Sequence, residues 1–421
     1  MSYKTRKELI HQIEQLRNSK IITLITSDRY STMPIQGIQA QIASDQVSQI
    51  INHLQKLDKT KDDSLDLFIY SRGGDVNTAW PLVNTIRNYF KKFNILIPVH
   101  AHSSATLISL GADKIVMSKT ASLSPIDPTV ANPFNPRENN QALGISVEDV
   151  AAFFSLAKDK DNVGINSEDN ITQVFNILSK KVHPLALGNV KRSHSQIRLL
   201  AKKLLTLHPS TQLLPEKIDP IINELTEKFF THNHSIFREE AKQTGLDGII
   251  VDSTEEEESL FWSLYQDYEK EMQLKEFFDP NCFLGTANER LLETTPVMIE
   301  STVCSSKFLF KQMIKKALPP IPELRLNILA QNNQTTKNAQ ALKTQLFQIQ
   351  TNLLQHISQL TAIAQQNPTA IAFNGLINDG NVINQQITNI LSAITEELNL
   401  DILKTQIEFT LQFLGWVDEN I

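Results

Sequence analysis

Ile10, Ile13 and Leu16 recur at helical spacing, so an amphipathic helix is expected over residues 4–18. Ile21-Ile-Thr-Leu-Ile-Thr26 is continuous and β-branched, the pattern of a strand buried on both faces. Residues 27–38 hold Ser, Asp, Pro and Gly and read as a loop. Ile42, Val47, Ile50, Ile51 and Leu54 then form a helical stripe over 40–57. Leu65–Tyr70 is the next strand and runs into Ser71-Arg-Gly-Gly-Asp75, after which Ala79, Leu82, Val83, Ile86 and Phe90 mark a helix. Ile95–Val99 predicts a strand, residues 104–112 a short helix of small residues, and Ile115–Met117 another strand. This β-α-β-α-β rhythm predicts a parallel, helix-covered sheet and an α/β fold class.

Residues 129–143 are rich in Asn, Pro and Gln and read as an ordered loop or flap. Helical patterns follow at 146–158, 167–181, 187–206, 216–230 and 235–244. The acidic run Glu255–Glu258 opens a further helix through Met272, where negative charge in the first turn suits the helix dipole. Pro319-Pro-Ile-Pro322 punctuates the chain. Beyond it, Asn and Gln make up roughly a third of residues 331–400 and charges become sparse. Apolar residues still recur at helical spacing there, at Leu346, Ile349, Leu353, Ile357 and Leu360 and again at Ile383, Ile387, Ile390, Ile394 and Leu398. A tail of two or three helices with a polar, uncharged outer face is expected, and the periodicity argues against a prion-like disordered tract. No internal repeat recurs at a fixed period.

The chain has 421 residues, which at about 150 residues per domain predicts two or three domains. With 41% hydrophobic and 20% charged residues it can build a packed core, which argues against wholesale disorder. Forty basic against 46 acidic residues give a net charge of −6, which argues against a general nucleic-acid binder but leaves room for a local basic patch. Cys282 and Cys304 cannot make a disulfide framework, have no metal-ligand spacing, and read as reduced, half-buried thiols. His232 and His234 lie on an expected loop without metal partners. The N-terminus has the charges of a signal peptide but no apolar region behind them, and no window reaches the run of about 18 apolar residues a membrane helix needs. A soluble, cytoplasmic protein is expected. No Walker or dinucleotide glycine pattern occurs, and no cofactor is expected.

Two loops carry the candidate chemistry, each at the C-terminal end of an expected buried strand, the edge where open α/β sheets bind ligands. In Ser71-Arg-Gly-Gly-Asp75 paired glycines allow a tight turn that bares backbone N–H groups. In His100-Ala-His-Ser-Ser-Ala-Thr106 a strand turns into a helix and puts Ser103 at or just before the helix N-terminus, where an alkoxide-like oxygen gains from the dipole. Gly74 N–H and Ser104 N–H are then the candidate oxyanion hole for a tetrahedral acyl intermediate, each such donor being typically worth about 3 kcal/mol in the transition state. Taken singly, a serine before a helix is an N-cap and a Gly-Gly pair is a turn.

At these residues the sequence resembles a known family. Leu67–Trp80, "LFIYSRGGDVNTAW", with "AHSSATLISLGAD" and "IVMSKTASLSPIDP", resembles the serine dehydrogenase proteinase family of the Clp/crotonase-fold superfamily, alongside Clp-type peptidases and signal peptide peptidase A. "VHPLALGNV", "QIRLLAKKLL" and "FREEAKQTGL", and more loosely "LYQDYEKEMQL", extend the likeness over roughly residues 20–315, with the most specific part at 65–128. The resemblance implies a Clp/crotonase-like spiral of ββα units with a C-terminal α-helical extension. The divisions are a peptidase domain over 1–250, a helical extension of the family core over 251–318, and the Gln/Asn-rich helical tail over 319–421. It further implies a serine nucleophile, peptide or protein substrates and a homo-oligomer. The resemblance does not reach the tail after Pro319, which is a candidate surface for a protein partner.

Carried over residue by residue, the oxyanion loop falls on Gly73-Gly74 and the nucleophile on Ser103, with Ser104 next if the register slips by one. Clp-type enzymes place a histidine base after the strand that follows the nucleophile helix, but Ser124-Pro-Ile-Asp-Pro128 holds none. Signal-peptide-peptidase relatives use a lysine near a Lys-Asp step after a Leu-Gly-Ile strand. Leu143-Gly-Ile145 followed by Lys158-Asp-Lys160 makes Lys158 the first candidate base and Lys160 the second. A lysine serves as base near neutral pH only if burial or a nearby cation depresses its pKa, whereas "AKDKD" reads as a solvated segment. Lys180 and Lys181 are candidates by position only. His102 is poorly placed on a strand to reach its neighbour unless a turn intervenes. His183 reads as a cap or core residue, and Asp75 and Asp127 suit either a base-orienting role or a turn. Two functions remain: a serine peptidase, or a catalytically silent Clp-fold scaffold that binds a partner through its tail. A crotonase-like acyl-CoA enzyme would need no serine at 103, and no CoA signature is present.

Overall fold

The structure is a computed structural model. It describes residues 3–27, 40–58, 64–126, 129–130, 134–135, 137–138, 141–142, 145–159, 163–165, 168–208, 213–228, 234–276, 278–317, 335–366, 371–403 and 406–420. Contacts divide the chain into two compact units. One is Met1–Asp279 with Leu292–Gln312 and Leu411–Ile421, and the other is Pro280–Leu291 with Met313–Thr410.

The first unit opens with α1 (Tyr3–Arg17), β1 (Lys20–Thr26), α2 (Asp45–Lys56), β2 (Ser64–Tyr70), α3 (Ala79–Tyr89), β3 (Lys92–Ile97), β4 (His100–Ala101), α4 (Ser104–Ser109), β5 (Lys114–Met117) and β6 (Ser122–Leu123). Four two-residue strands follow in the Asn- and Pro-rich segment: β7 (Thr129–Val130), β8 (Arg137–Glu138), β9 (Gln141–Ala142) and β10 (Ile145–Ser146). Then come α5 (Val147–Lys158), α6 (Glu168–Lys181), α7 (Pro184–Leu205), α8 (Pro215–Asn223), β11 (Ile236–Phe237), α9 (Arg238–Ala241), β12 (Ile250–Asp252) and α10 (Glu255–Glu271). Past α11 (Pro280–Leu284) the chain forms two long strands, β13 (Glu289–Ser301) and β14 (Cys304–Ala317). It ends with α12 (Thr335–Gln366), α13 (Ile371–Leu403) and β15 (Gln406–Asn420).

The main sheet has the order β12-β5-β3-β2-β1-β13-β14-β15, parallel from β12 to β1 and antiparallel where β13 joins β1. Register lines up Ile22, Leu67, Ile95, Ile115 and Ile250 on one face of five strands. That face packs on α2, α3, α4 and α7 through Ile50, Leu82, Leu107 and Leu204. One residue along, Phe68, Leu96 and Val116 point to the other face and meet Ile10 and Ile13 of α1 and Phe261, Leu264 and Tyr268 of α10. Helices cover both faces, which is why β1 and β2 are near-continuous apolar runs and not alternating ones. The α/β expectation with helices in the C-terminal region holds.

The second face also carries a buried polar network. Arg6, fully buried, donates to both oxygens of Glu300 at 2.7 and 2.9 Å and to Asp267 Oδ1 at 2.9 Å, and lies 5.1 Å from the Tyr268 ring centroid. Burial alone would lower the Arg6 pKa, but hydrogen bonding and charge from Glu300 outweigh it and hold the guanidinium above its ordinary value. Arg17 likewise bridges Asp66 and Glu257.

Several elements differ from expectation. Residues 251–318 are not a helical extension. α10 caps the second face of the sheet, and β13 and β14 are strands of it. The expected helix 235–244 is a short strand, β11, paired with β6, followed by one helical turn. The Gln/Asn-rich tail holds two long helices and ends in a strand, β15, not in helix. Within the second unit α12 and α13 meet through Ile357 and Ile387 and through Gln350, whose Nε2 donates to Asn384 Oδ1 at 3.0 Å and Thr388 Oγ1 at 2.8 Å. Gly380 makes room there, since a Cβ would sit 2.8 Å from Ile357 Cγ1. Of the two thiols, Cys304 is buried and Cys282 exposed, and neither is in a disulfide. Among the described residues no helix is long and apolar enough to cross a membrane, and no group of three or more His, Cys, Asp or Glu residues is arranged to hold a metal ion.

Candidate active site

The Gly-Gly loop leaves β2 and the serine loop leaves β4, and the two are tied edge to edge. Ser71 N–H donates to His100 O at 3.2 Å and His102 N–H to Ser71 O at 2.9 Å. Ser71 Oγ accepts from Thr26 Oγ1 at 2.8 Å and from Gly73 N–H at 3.0 Å, so the start of the glycine loop is pinned to β1. Further along, Ile42 N–H donates to Gly73 O at 2.8 Å and Asp75 N–H to Ile42 O at 2.8 Å. Both glycines have positive φ, +103° at Gly73 and +152° at Gly74. Neither has room for a side chain. A Cβ on Gly73 would lie 2.6 Å from Ser103 Cβ and 3.1 Å from Ser103 Oγ, and one on Gly74 would lie 2.3 Å from Ile42 O. Glycine is thus required by conformation and by contact, and its absent side chain is what lets the loop backbone lie against Ser103.

Ser103 adopts φ +53° and ψ −117°. Ala105 N–H donates to His102 O at 2.9 Å, so His102–Ala105 is a hydrogen-bonded turn whose first central residue has mirror-turn dihedrals that favour glycine. A serine held there costs about 1–3 kcal/mol of backbone strain. The neighbours that enforce it are named. Ser103 N–H donates to Ser124 Oγ at 2.7 Å, Ser124 N–H to Thr106 Oγ1 at 3.0 Å, and Thr106 Oγ1 to Ala101 O at 2.7 Å. Leu107 N–H returns to Ser103 O at 3.0 Å. The outcome is a half-buried Ser103 at the mouth of α4, while Ser104, one residue on, is fully buried with an Oγ that has no hydrogen-bond partner. Among the described residues, Gly74 N–H and Ser104 N–H hydrogen-bond to no other protein group.

The candidate bases are distributed differently. His102 Nε2 lies 2.9 Å from Ser122 Oγ, and its ring lies tilted against that of His100 with centroids 4.8 Å apart. His100 in turn lies against Tyr70 at 4.2 Å, and burial, reinforced by the Arg72 charge, pushes its pKa down to about 3. Lys158 is exposed in the last turn of α5, and no hydrogen bond or ion pair links it to Ser103. Lys180 and Lys181 are exposed at the end of α6. Lys160, Asp127 and His232 lie outside the described residues. Asp75 acts as a cap, its Oδ1 accepting from Asn77 N–H at 2.9 Å and Asn77 Nδ2 at 2.8 Å. His183 caps α7 through Nδ1, which accepts from Leu185 N–H at 3.2 Å. His234 Nε2 lies 2.9 Å from Glu240 Oε1. Sequence reasoning missed Ser124 and Thr106, whose hydroxyls hold the Ser103 turn. A residue type common in any loop gives no signal until the partner strand is in place.

Residues 1–139 match the family model of the ClpP-like SDH-type serine proteinases. Two uncharacterised proteins of Methanocaldococcus jannaschii are related to the chain. MJ0137 is 26% identical over 244 residues, 58% of this chain and 72% of that protein. MJ1495 is 28% identical over 132 residues, 31% of this chain and 44% of that protein. Among solved structures, a mutant of a 1510-N membrane-bound stomatin-specific protease aligns over 56% of this chain and 83% of its own, at 15% identity and a TM-score of 0.30. ClpP1 from Listeria monocytogenes aligns over 58% of this chain and 98% of its own, at 14% identity and a TM-score of 0.30. The stretch that matches this family model, residues 1–139, contains both the Gly-Gly loop and Ser103.

Proposed function

We propose that the protein is a serine peptidase in which Ser103 Oγ attacks the scissile carbonyl of a peptide or protein substrate. Gly74 N–H and Ser104 N–H receive the oxyanion of the tetrahedral intermediate. The observation that carries the reading is the conformation of Ser103, a strained turn residue presented at a helix N-terminus against a glycine loop that tolerates no side chain. Two amides without protein acceptors beside it supply the matching donors. The base takes the Ser103 proton and returns it to the leaving amine. Lys158 is our candidate for that role. It would act once α5 closes over the site or a neighbouring subunit brings its copy near. The same reading makes the protein a cytoplasmic homo-oligomer, with the tail beyond residue 319 as a surface for a protein partner.

A second reading rests on a separate observation: among the described residues no lysine or histidine hydrogen-bonds to Ser103. In that reading the chain is a silent scaffold that keeps the fold for assembly. A fluorophosphonate probe separates the two. The peptidase reading expects labelling of the wild type, none in Ser103→Ala, and strongly slowed labelling in Lys158→Met. An unlabelled wild type, or equal labelling of Ser103→Ala, removes it in favour of the scaffold. Full labelling of Lys158→Met reassigns the base alone.

A further inference from the structure

The hairpin of α12 and α13 has two sides, and they differ. On one, Gln350 Nε2 reaches across the seam to Asn384 Oδ1 and Thr388 Oγ1. The seam itself is marked by buried Ile357 and Ile387. At about 100° per residue, Ile349, His356 and Ile363 fall to the side of Ile357 away from Gln350. Leu376, Asp379 and Ile383 fall to the side of Ile387 away from Asn384 and Thr388. These six therefore share one face of the hairpin, and that face is bare. Ile349 is 55% exposed, Ile363 43%, Leu376 54% and Ile383 47%. Apolar residues repeating along one stripe of each helix are the pattern of helices that pack on further helices.

One polar residue interrupts the stripe on each helix, His356 on α12 and Asp379 on α13. Both are exposed, and among the described residues neither side chain makes a hydrogen bond or an ion pair. They also stand at the same height. A Cβ on Gly380 would lie 2.8 Å from Ile357 Cγ1, so these two residues are level. His356 and Asp379 are then within about 3 Å of each other along the helix axes. They belong to adjacent helices and face out from the same side, so each is left without the other. A two-fold axis parallel to the helices, laid against this face, stacks α12 of one copy on α13 of the next and keeps every height unchanged. His356 then lies opposite the partner's Asp379, and Asp379 opposite the partner's His356. An imidazole N–H can donate to a carboxylate at both places, in a bundle whose neighbouring helices all run antiparallel. An unrelated apolar partner would bury both polar groups unmatched, which is costly. A matched polar pair within an apolar seam is also what fixes register between helices.

We propose that this face of the tail hairpin joins two copies of the chain into a four-helix bundle, with the apolar stripes inside and His356 paired to Asp379 across the two-fold. The inference rests on the reading of the chain as a homo-oligomer whose tail docks a protein, and it makes that protein a second copy. The test is sedimentation of the full-length protein over a range of micromolar concentrations. Ile349→Lys and Asp379→Lys both change exposed residues outside the seam of the hairpin. Each is expected to weaken association at least tenfold with helix content by circular dichroism unchanged. His356→Asp alone should weaken it likewise, and the double variant His356→Asp with Asp379→Lys should return it to that of the wild type. A wild type that is monomeric throughout assigns the face to another occupant and overturns the proposal. An oligomeric wild type whose mass is untouched by Ile349→Lys and Asp379→Lys overturns the pairing and leaves the homo-oligomer standing. A double variant no tighter than the single ones overturns the His356–Asp379 register. A wild type unlabelled by fluorophosphonate bears on the peptidase reading alone, since the pairing is read from mass.

Discussion

Replacing Ser103 by glycine is expected to make the protein inactive and more stable at once. The serine sits at φ +53°, ψ −117°, in a turn closed by Ala105 N–H on His102 O at 2.9 Å. A side chain held there costs about 1–3 kcal/mol. Glycine removes that strain but gives back about 0.5–1 kcal/mol through the greater freedom of the unfolded chain. Its backbone N–H still donates to Ser124 Oγ, so the turn keeps its anchor. The net gain is about 1 kcal/mol. Ser103→Ala is the control, because it removes the same hydroxyl while keeping the Cβ and hence the strain. Urea unfolding followed by tryptophan fluorescence compares the two at equal m-value. Ser103→Gly should have the higher midpoint, and both variants should lose fluorophosphonate labelling. A Ser103→Gly midpoint at or below that of Ser103→Ala would refute the claim that the fold holds this residue under strain.

Gly73→Ala should abolish labelling while the protein stays folded, since its Cβ would fall 2.6 Å from Ser103 Cβ; full activity in this variant would show that the loop does not lie against the serine. Arg6→Met should destabilise the protein by about 3–5 kcal/mol because it strands Asp267 and Glu300 without their cation, and a loss below 1 kcal/mol in urea unfolding would contradict the network described. Acid should weaken the fold. Burial depresses the pKa of His53 to about 4 and of His100 to about 3, both below the ordinary 6.5, so the unfolded chain takes up these protons first as pH falls. Their stabilisation is complete above pH 6.5 and drains toward pH 4, at up to about 1.4 kcal/mol per pH unit for each histidine. Unfolding free energy that stays level or rises between pH 6.5 and pH 4.5 would rule this out, and His53→Asn should remove about half the slope.

Burial and local periodicity made the core legible. β1, β2 and β3 were readable because a strand covered on both faces must be apolar along its whole length. α10 was readable because the acidic run Glu255–Glu258 suits the first turn of a helix, and the structure adds a capping box there, with Glu257 N–H donating to Thr254 Oγ1 at 3.2 Å. Glycine at 73 and 74 announced a tight loop. By contrast, β13 was not legible. Its partner is β1, some 275 residues earlier, through pairs such as Leu24 with Ile299, and nothing local to Glu289–Ser301 encodes a neighbour so distant, least of all with Pro296 in its middle. The same holds for β15, which follows a long helix and joins the sheet edge beside β14.

The sequence by itself determined which segments are helix or strand where one face or two must be apolar, and which loops can bare their amides, because these follow from side-chain period and from the steric freedom of glycine. Only the tertiary structure decided that Ser103 and not Ser104 is the accessible hydroxyl, and that Ser124 and Thr106 hold its turn. It also decided that one buried arginine, Arg6, serves two carboxylates, Glu300 and Asp267. Each of those outcomes depends on atoms brought together from distant parts of the chain, whose separation in space no local pattern records.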